Sequence, residues 1–159
     1  MLLPLVLLLA LTGGLFWWFS PEQVVKRRTK ELLGVFTLAP GTSKANRELG
    51  ALKLTGLIGP RLEVDVPEAP DASGSFGRAD VESGFHALCG MAKETRFSIQ
   101  KFNSITLTND QATVSATLDA LVDLNSYRPA DGPGEATFVW NKTKDGWQVT
   151  TIVWRENKR

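Results

Sequence analysis

The stretch from Ala112 to Leu124, ATVSATLDALVDL, decides the fold. Ala112, Val114, Ala116, Leu118, Ala120, Val122 and Leu124 alternate with Thr113, Ser115, Thr117, Asp119, Leu121 and Asp123. Period two sustained this long predicts one strand with a buried apolar face and a wet face, as in an antiparallel sheet covered on one side. Asn109-Asp110 reads as the turn before it. Upstream of that turn, Phe97, Ile99, Ile105 and Leu107 predict a partner strand, and Phe102 breaks its parity, which predicts a bulge. Downstream, Arg128 to Gly134 reads as a loop. Glu135 to Asn141 and Trp147 to Arg155 read as a hairpin closed around Asp145-Gly146. The C-terminal part is therefore expected to be a four-strand antiparallel meander.

Before Arg96 the period is 3.6. Ser20 is an N-cap, Pro21 suits the first helical position, and Gln23 completes a capping box. Phe19 and Val24 take the staple positions, and Val25, Leu32 and Phe36 share a face opposite Lys26, Arg27, Lys30 and Glu31. Pro40-Gly41 ends this element. A second helix is expected from Ser43 to Ile58 with Ala45, Leu49 and Leu52 as its stripe and Gly59-Pro60 as its stop. Leu62, Val64 and Val66 alternate with Glu63 and Asp65 as a short strand, and Pro67 to Gly77 reads as a loop. The third helix is capped by Asp80, and its stripe is Val81, Phe85, Leu88 and Ala92. Helices first and a meander last predict an α+β domain, a curved sheet of four C-terminal strands plus one earlier strand wrapping three helices.

Composition narrows the function. A chain of 159 residues with 43% hydrophobic residues holds one domain with a core and is too short for two ordinary ones. A net charge of +1 gives no overall pull towards nucleic acid, and no basic-aromatic platform appears. A single Cys excludes an internal disulfide and a Cys-rich zinc site. No metal or cofactor motif is present: GxGxxG, P-loop, HExxH and CxxC patterns are absent. Asn141-Lys142-Thr143 fits a glycosylation sequon, with nothing else indicating a secretory protein.

Leu2 to Phe19 carries no charged side chain. Its length, about 27 Å as a helix, is just enough to cross a thin hydrocarbon core. Trp17 and Trp18 stand at its end, where amphipathic rings favour the interface. Residues 1–19 are thus read as a single-pass transmembrane anchor and 20–159 as the folded domain. A signal peptide cut after Gly14 is the alternative, although no Lys or Arg precedes the apolar run. Lys26, Arg27, Arg28 and Lys30 would keep their side cytoplasmic by the positive-inside bias, would suit anionic head groups, and equally read as a solvated helix face. The side faced by the domain stays open.

From Ser20 to Glu156 the element order, the Asp-capped third helix and the closing FVWNKTKDGWQVTTIVWRE hairpin resemble the nuclear transport factor 2-like superfamily, also called the SnoaL-like or cystatin-like α+β cone. The resemblance implies either a pocket-bearing module or a small-molecule isomerase, dehydratase or cyclase. Enzymes of that superfamily, such as ketosteroid isomerases and polyketide cyclases, use an Asp or Glu inside the cone with Tyr, His or Asp helpers. Here the inward strand positions read Val, Ala, Leu, Phe and Trp, and the one tyrosine, Tyr127, sits at a strand end beside Arg128. No position matches the isomerase base or its oxyanion pair. The expectation is a membrane-anchored, non-catalytic module for a protein or small apolar ligand, with the enzyme as the alternative.

The remaining catalytic candidates are weak. His86 lies about 125° from the third helix's stripe, so it reads as exposed, with Glu82 one turn before it and Cys89 one turn after. Neighbours on one helix project side by side, and two ligands fall short of a metal site. Asp119 and Asp123 lie about 13 Å apart along a strand, beyond the roughly 5 to 9.5 Å of a carboxylate pair acting on one bond. Asp65 and Glu63 on the first strand remain, without identifiable partners. Strict alternation in the last hairpin places Phe138, Trp140, Val149 and Val153 in the core. Val139, Ile152 and Trp154 then fall on the outer face, joined by Leu121. That set reads either as scattered surface apolars or as the interface of a homodimer with Trp154 at its centre.

Overall fold

The computed structural model describes residues 17–125 and 130–157. Most of the expected membrane span therefore lies outside the described residues, and among those described no helix is long and apolar enough to cross a membrane. Three helices, α1 (Pro21–Phe36), α2 (Lys44–Leu57) and α3 (Arg78–Met91), pack on one face of a sheet. Its strands are β1 (Ile58–Asp65), β2 (Gly74–Gly77), β3 (Ala92–Leu107), β4 (Gln111–Leu124), β5 (Ala130–Thr143) and β6 (Gly146–Glu156). They are ordered β2-β1-β6-β5-β4-β3. The meander of β3 to β6 is antiparallel throughout, as expected.

Three features differ from the sequence reading. Within the expected loop Arg128 to Gly134, β5 already pairs with β4 from Ala130. β1 joins β6 in parallel, and β2, from within the expected loop Pro67 to Gly77, pairs antiparallel with β1. The sheet is therefore mixed, with six strands. GSFG is too short and glycine-rich to carry a period, so only its pairing partner identifies it as a strand.

The helix starts follow their caps. The Ser20 hydroxyl accepts from the Gln23 N–H at 3.5 Å, and the Ser43 hydroxyl accepts from the Asn46 N–H at 3.3 Å. The staple does not form, because Phe19 is exposed. Asp80 stands three residues inside α3 and its carboxylate accepts from the Gly77 N–H at 2.9 Å, so Gly77 holds the cap position. On α2 the expected stripe is overturned: Leu49 and Leu52 are 55% and 70% exposed, while Ala51, Leu54 and Leu57 are buried. The reason is Gly50. A Cβ there would lie 3.0 Å from the Phe85 ring, so the bare backbone of α2 seats that ring and fixes which face turns inward. Arg47, on the same face, donates to the Cys89 carbonyl.

Single-residue bulges shape the sheet. On β3 the register slips between Ile99 and Lys101 and again between Phe102 and Ser104. Gln100 and Asn103 are the extra residues, so Phe97, Ile99, Phe102 and Ile105 all face the helices despite their uneven spacing. On β6 the extra residue is Thr150, since Val149 pairs with Trp140 and Thr151 with Val139. That bulge reverses the parity beyond it. Ile152 and Trp154 stand opposite Phe138 and Ala136 and pack on the core, and Val153 moves to the outer face with Thr137. The expected outer cluster therefore loses Ile152 and Trp154, and strict alternation failed because it allowed no extra residue. The Trp154 indole lies against Gly134, where a Cβ would overlap the ring and approach the Arg155 carbonyl oxygen to 2.9 Å.

One clasp ties the layers. The Thr95 hydroxyl, buried on β3, donates to the Phe36 carbonyl at 2.5 Å, and Thr95 and Leu38 exchange backbone bonds of 2.9 and 3.0 Å. It fixes where α1 stops over the sheet.

Phe85→Ala should destabilise the domain by about 3 to 5 kcal/mol, whereas His86→Ala, on the exposed side of α3, should stay within about 0.5 kcal/mol in urea titrations. Equal costs would refute the assigned phase of α3. Gly134→Ala should cost about 1 to 3 kcal/mol through overpacking against Trp154, measured in the same titrations; a neutral outcome would mean the ring does not lie there.

Candidate functional site

Along β4 the inward side chains change character. Ala112, Val114, Ala116 and Leu118 are buried under the helices, whereas Ala120 and Val122, further along the same face, are half-buried. Beside the C-terminal half of α1, a cavity of about 740 Å³ opens on the concave face. Leu32, Leu33 and Phe36 of α1 form one wall; Phe97, Leu118, Ala120, Val122, Phe138, Ile152 and Trp154 form the sheet side. Val66, Ala69 and Ala72, from the segment linking β1 to β2, close a third side. The Ser73 hydroxyl holds that segment by donating to the Val66 carbonyl at 3.2 Å and accepting from the Val66 N–H at 2.8 Å.

Small residues keep the space hollow. Phe97, Ala120 and Gly132 are direct neighbours across three strands, with Ala136 beside Trp154 on the next pair. Among the described residues the ionisable ones that line it are Glu68, Asp131 and Glu156, all exposed, and Asp131 pairs with the outward-facing Leu121. Asp131 and Glu156 also line a smaller depression of about 240 Å³ with Gly132, Pro133 and Asn157. The chamber is thus apolar inside and acidic at one edge.

The candidates singled out by residue type sit elsewhere. His86 is exposed on α3, its ring 6.3 Å from that of Phe85, and does not line the cavity. Asp65 lies on the outer side of β1 and accepts from Arg155 at 3.0 Å, an exposed ion pair. Asp119 and Asp123 are on the outer face of β4 beside Ser98 and Glu94. Cys89 is buried between α3 and α2; burial pushes its thiol pKa up, opposed by the Arg47 guanidinium, so the nucleophilic thiolate is disfavoured. Val139 and Leu121 do lie on the outer face, flanked by Thr113 and Thr151 and by Arg96 and Asp131 respectively. Tyr127 and Arg128 fall outside the described residues. No group of three or more His, Cys, Asp and Glu side chains is placed to hold a metal among the described residues.

The sequence reading missed Glu68, Asp131 and Glu156. They stand in a loop and at two strand ends, where no motif or period marks them.

No family model and no curated protein matches the chain. Its backbone does match solved structures. A nuclear transport factor 2-like protein from Cytophaga hutchinsonii aligns with a TM-score of 0.66 at 14% identity, covering 87% of this chain and all of that one (100%). A protein of the same superfamily from Salmonella enterica gives 0.64 at 11% identity, over 86% of this chain and 91% of that one. A provisionally named scytalone dehydratase from Novosphingobium aromaticivorans gives 0.62 at 14% identity, over 91% and 87%. At such identities the likeness is one of fold. The chain carries the nuclear transport factor 2-like α+β cone.

Proposed function

We propose that the cone is a non-catalytic binding module for a small, largely apolar ligand, held at a membrane through residues 2–19. The observation that carries the ligand reading is the hollow apolar chamber whose ionisable lining residues, among those described, are all exposed. A proton-transfer enzyme needs an acid or base within hydrogen-bond reach of the reacting atom, backed by an orienting group. The inner wall of Leu, Phe, Val, Ile, Ala and Trp offers none. Similar folds named as a dehydratase and an aromatic ring hydroxylase favour the alternative, a small-molecule enzyme, in which a rim carboxylate would be the base. Membrane attachment is supported by the uncharged run Leu2 to Phe19 and by the exposed Trp17, Trp18 and Phe19 where the described chain begins. Arg27 lies over the Trp18 ring, 4.6 Å from its centroid, and keeps a cation beside that aromatic group.

The ligand reading is tested by equilibrium dialysis of the full chain in phosphatidylcholine nanodiscs against the neutral probe 2-(1-naphthyl)ethanol. Wild-type protein should retain more probe than discs loaded with Ala120→Trp or Val122→Trp, variants whose indoles fill the chamber while circular dichroism stays that of the wild type. Equal retention by all three would remove the chamber as the binding site. For the anchor, full-length protein should remain in the membrane pellet after a carbonate wash. Recovery of a soluble form beginning near Leu15 would point instead to a cleaved leader.

A further inference from the structure

We infer that the first half of α1 docks on anionic lipid head groups and so holds the cone with its chamber turned away from the bilayer; the inference rests on the reading that residues 2–19 attach the chain to a membrane. The uncharged run ends at the exposed Trp17, Trp18 and Phe19, and Lys26, Arg27, Arg28 and Lys30 follow on α1. These cations stand about 9 to 15 Å along the helix from the Ser20 cap. Helical side chains lean towards the N-terminus, which carries their charged heads back towards the membrane side. Arg27 displays the lean: its guanidinium donates to the Trp18 carbonyl at 2.8 Å and lies over the Trp18 ring. Attraction to an anionic surface fades within a Debye length, about 8 Å at physiological salt. Long side chains leaning backwards bridge most of the remaining gap.

These charges are only loosely engaged within the domain. Glu22 pairs with Lys26 at 2.8 Å and Glu31 stands 3.9 Å from Arg28, both exposed pairs of the kind that contribute little. Arg27 and Lys30 take part in no ion pair among the described residues, which include every Asp and Glu of the chain. Lys26 and Lys30 instead lie 6.0 and 5.9 Å from the centroid of the Phe102 ring. An ammonium resting on an aromatic face keeps N–H donors for phosphate oxygens.

The sheet extends the same end. A Cβ at Gly146 would lie 3.1 Å from Arg28 Nη2, so α1 stands beside the β5–β6 turn, which carries the exposed Lys142 and Lys144. The Lys142 N–H donates to the Asp110 carbonyl at 2.7 Å and ties in the β3–β4 turn. The chamber lies at the other end of these elements, lined by Leu32, Leu33 and Phe36 of α1, Gly132 of β5 and Glu156 of β6. Along β5 the two ends, Gly132 and Thr143, are about 36 Å apart if the strand is straight. Docking by the turn end therefore sets the chamber well clear of the head groups.

The test uses the full chain in vesicles of phosphatidylcholine, alone or with phosphatidylglycerol, containing phosphatidylcholine spin-labelled at its head group. A bimane label is placed at Asn109→Cys on the β3–β4 turn, or at Ala69→Cys beside the chamber, each in a Cys89→Ala background. With phosphatidylglycerol the docked-to-free ratio, read from quenching at Asn109→Cys, should rise about tenfold, as for one to two basic residues close to an anionic surface. High salt should reverse the rise, and the label at Ala69→Cys should stay unquenched throughout. The variant Lys26→Gln, Arg28→Gln, Lys30→Gln should lose the response, and Lys26→Arg, Arg28→Lys, Lys30→Arg, which keeps the charge, should retain it. No response to phosphatidylglycerol, a response that survives the glutamine variant, or equal quenching at both labels would overturn the inference and leave the anchor in place. Failure of the chain to float with vesicles of either composition after a carbonate wash would overturn the anchor as well.

Discussion

The hollow follows from a mismatch of lengths. β3, β4 and β5 contain 16, 14 and 14 residues, which run roughly 46 to 53 Å if straight. α1 contains 16 residues, about 24 Å of helix. One helix cannot cover strands twice its length, and the Thr95 clasp pins its end, Phe36, level with Val122 on the β3 side of the sheet. On the covered half, α1, α2 and α3 bury Val114, Ala116, Leu118, Phe138 and Trp140 in one core. Past Leu118 the same strand faces continue to Ala120 and Val122, where α1 supplies only one wall, through Leu32, Leu33 and Phe36. Curvature then decides what becomes of the overhang. Bulges at Gln100, Asn103 and Thr150 raise the local twist and bend the strands. Apolar side chains that would otherwise lie on an open sheet are gathered around a chamber.

Those bulges also explain how far the sequence could be read. β4 was legible residue by residue because its own alternation runs from Ala112 to Val122 with no extra residue. β3 was half legible: Phe102 out of parity signalled one bulge, and the second at Asn103 hid behind it. β6 was misread beyond Thr150, since threonine suits either face of a strand and its insertion leaves no mark on the pattern of Val149, Ile152 and Trp154. The shift carries consequences for function. It takes Trp154 from a supposed contact surface and makes it part of the chamber wall. α2 failed for another reason. Its apolar residues form two stripes, and the choice between them was made by Gly50 and Arg47, residues that composition assigns to no core.

The candidate site was legible only in outline. That the cone's interior would be apolar could be read from the inward positions of β4 and the last hairpin. That it would be partly empty could not, because emptiness depends on how α1 lies relative to Ala120 and Gly132. Residue type drew attention to His86 and Asp65, yet the fold turns one to solvent and pairs the other with Arg155 on the outer face. Glu68 and Glu156 had no such signal. They gain meaning only when the β1–β2 link and the end of β6 are brought to one rim, and the topology does that by laying β1 beside β6 in parallel.

An apolar chamber is a standing cost to the fold. Replacing Ala120, Gly132 or Ala136 by larger apolar residues would add contacts that the present side chains leave unmade, and a methylene buried in a core is worth about 0.8 kcal/mol. A domain whose only task was to persist would gain by filling this space. The walls show the opposite arrangement, with small residues at the centre and Phe36, Phe97, Phe138 and Trp154 around them. Large aromatic groups at the periphery and alanine or glycine in the middle make a volume with rigid sides, which reduces the ordering that an incoming molecule must impose. An occupant would also return some of the missing stability, since a ligand at 100 times its Kd stabilises the folded state by about 2.7 kcal/mol. Clasp, bulges and small residues therefore act in one direction: each withholds packing from the same region and leaves the remainder to be supplied from outside the chain.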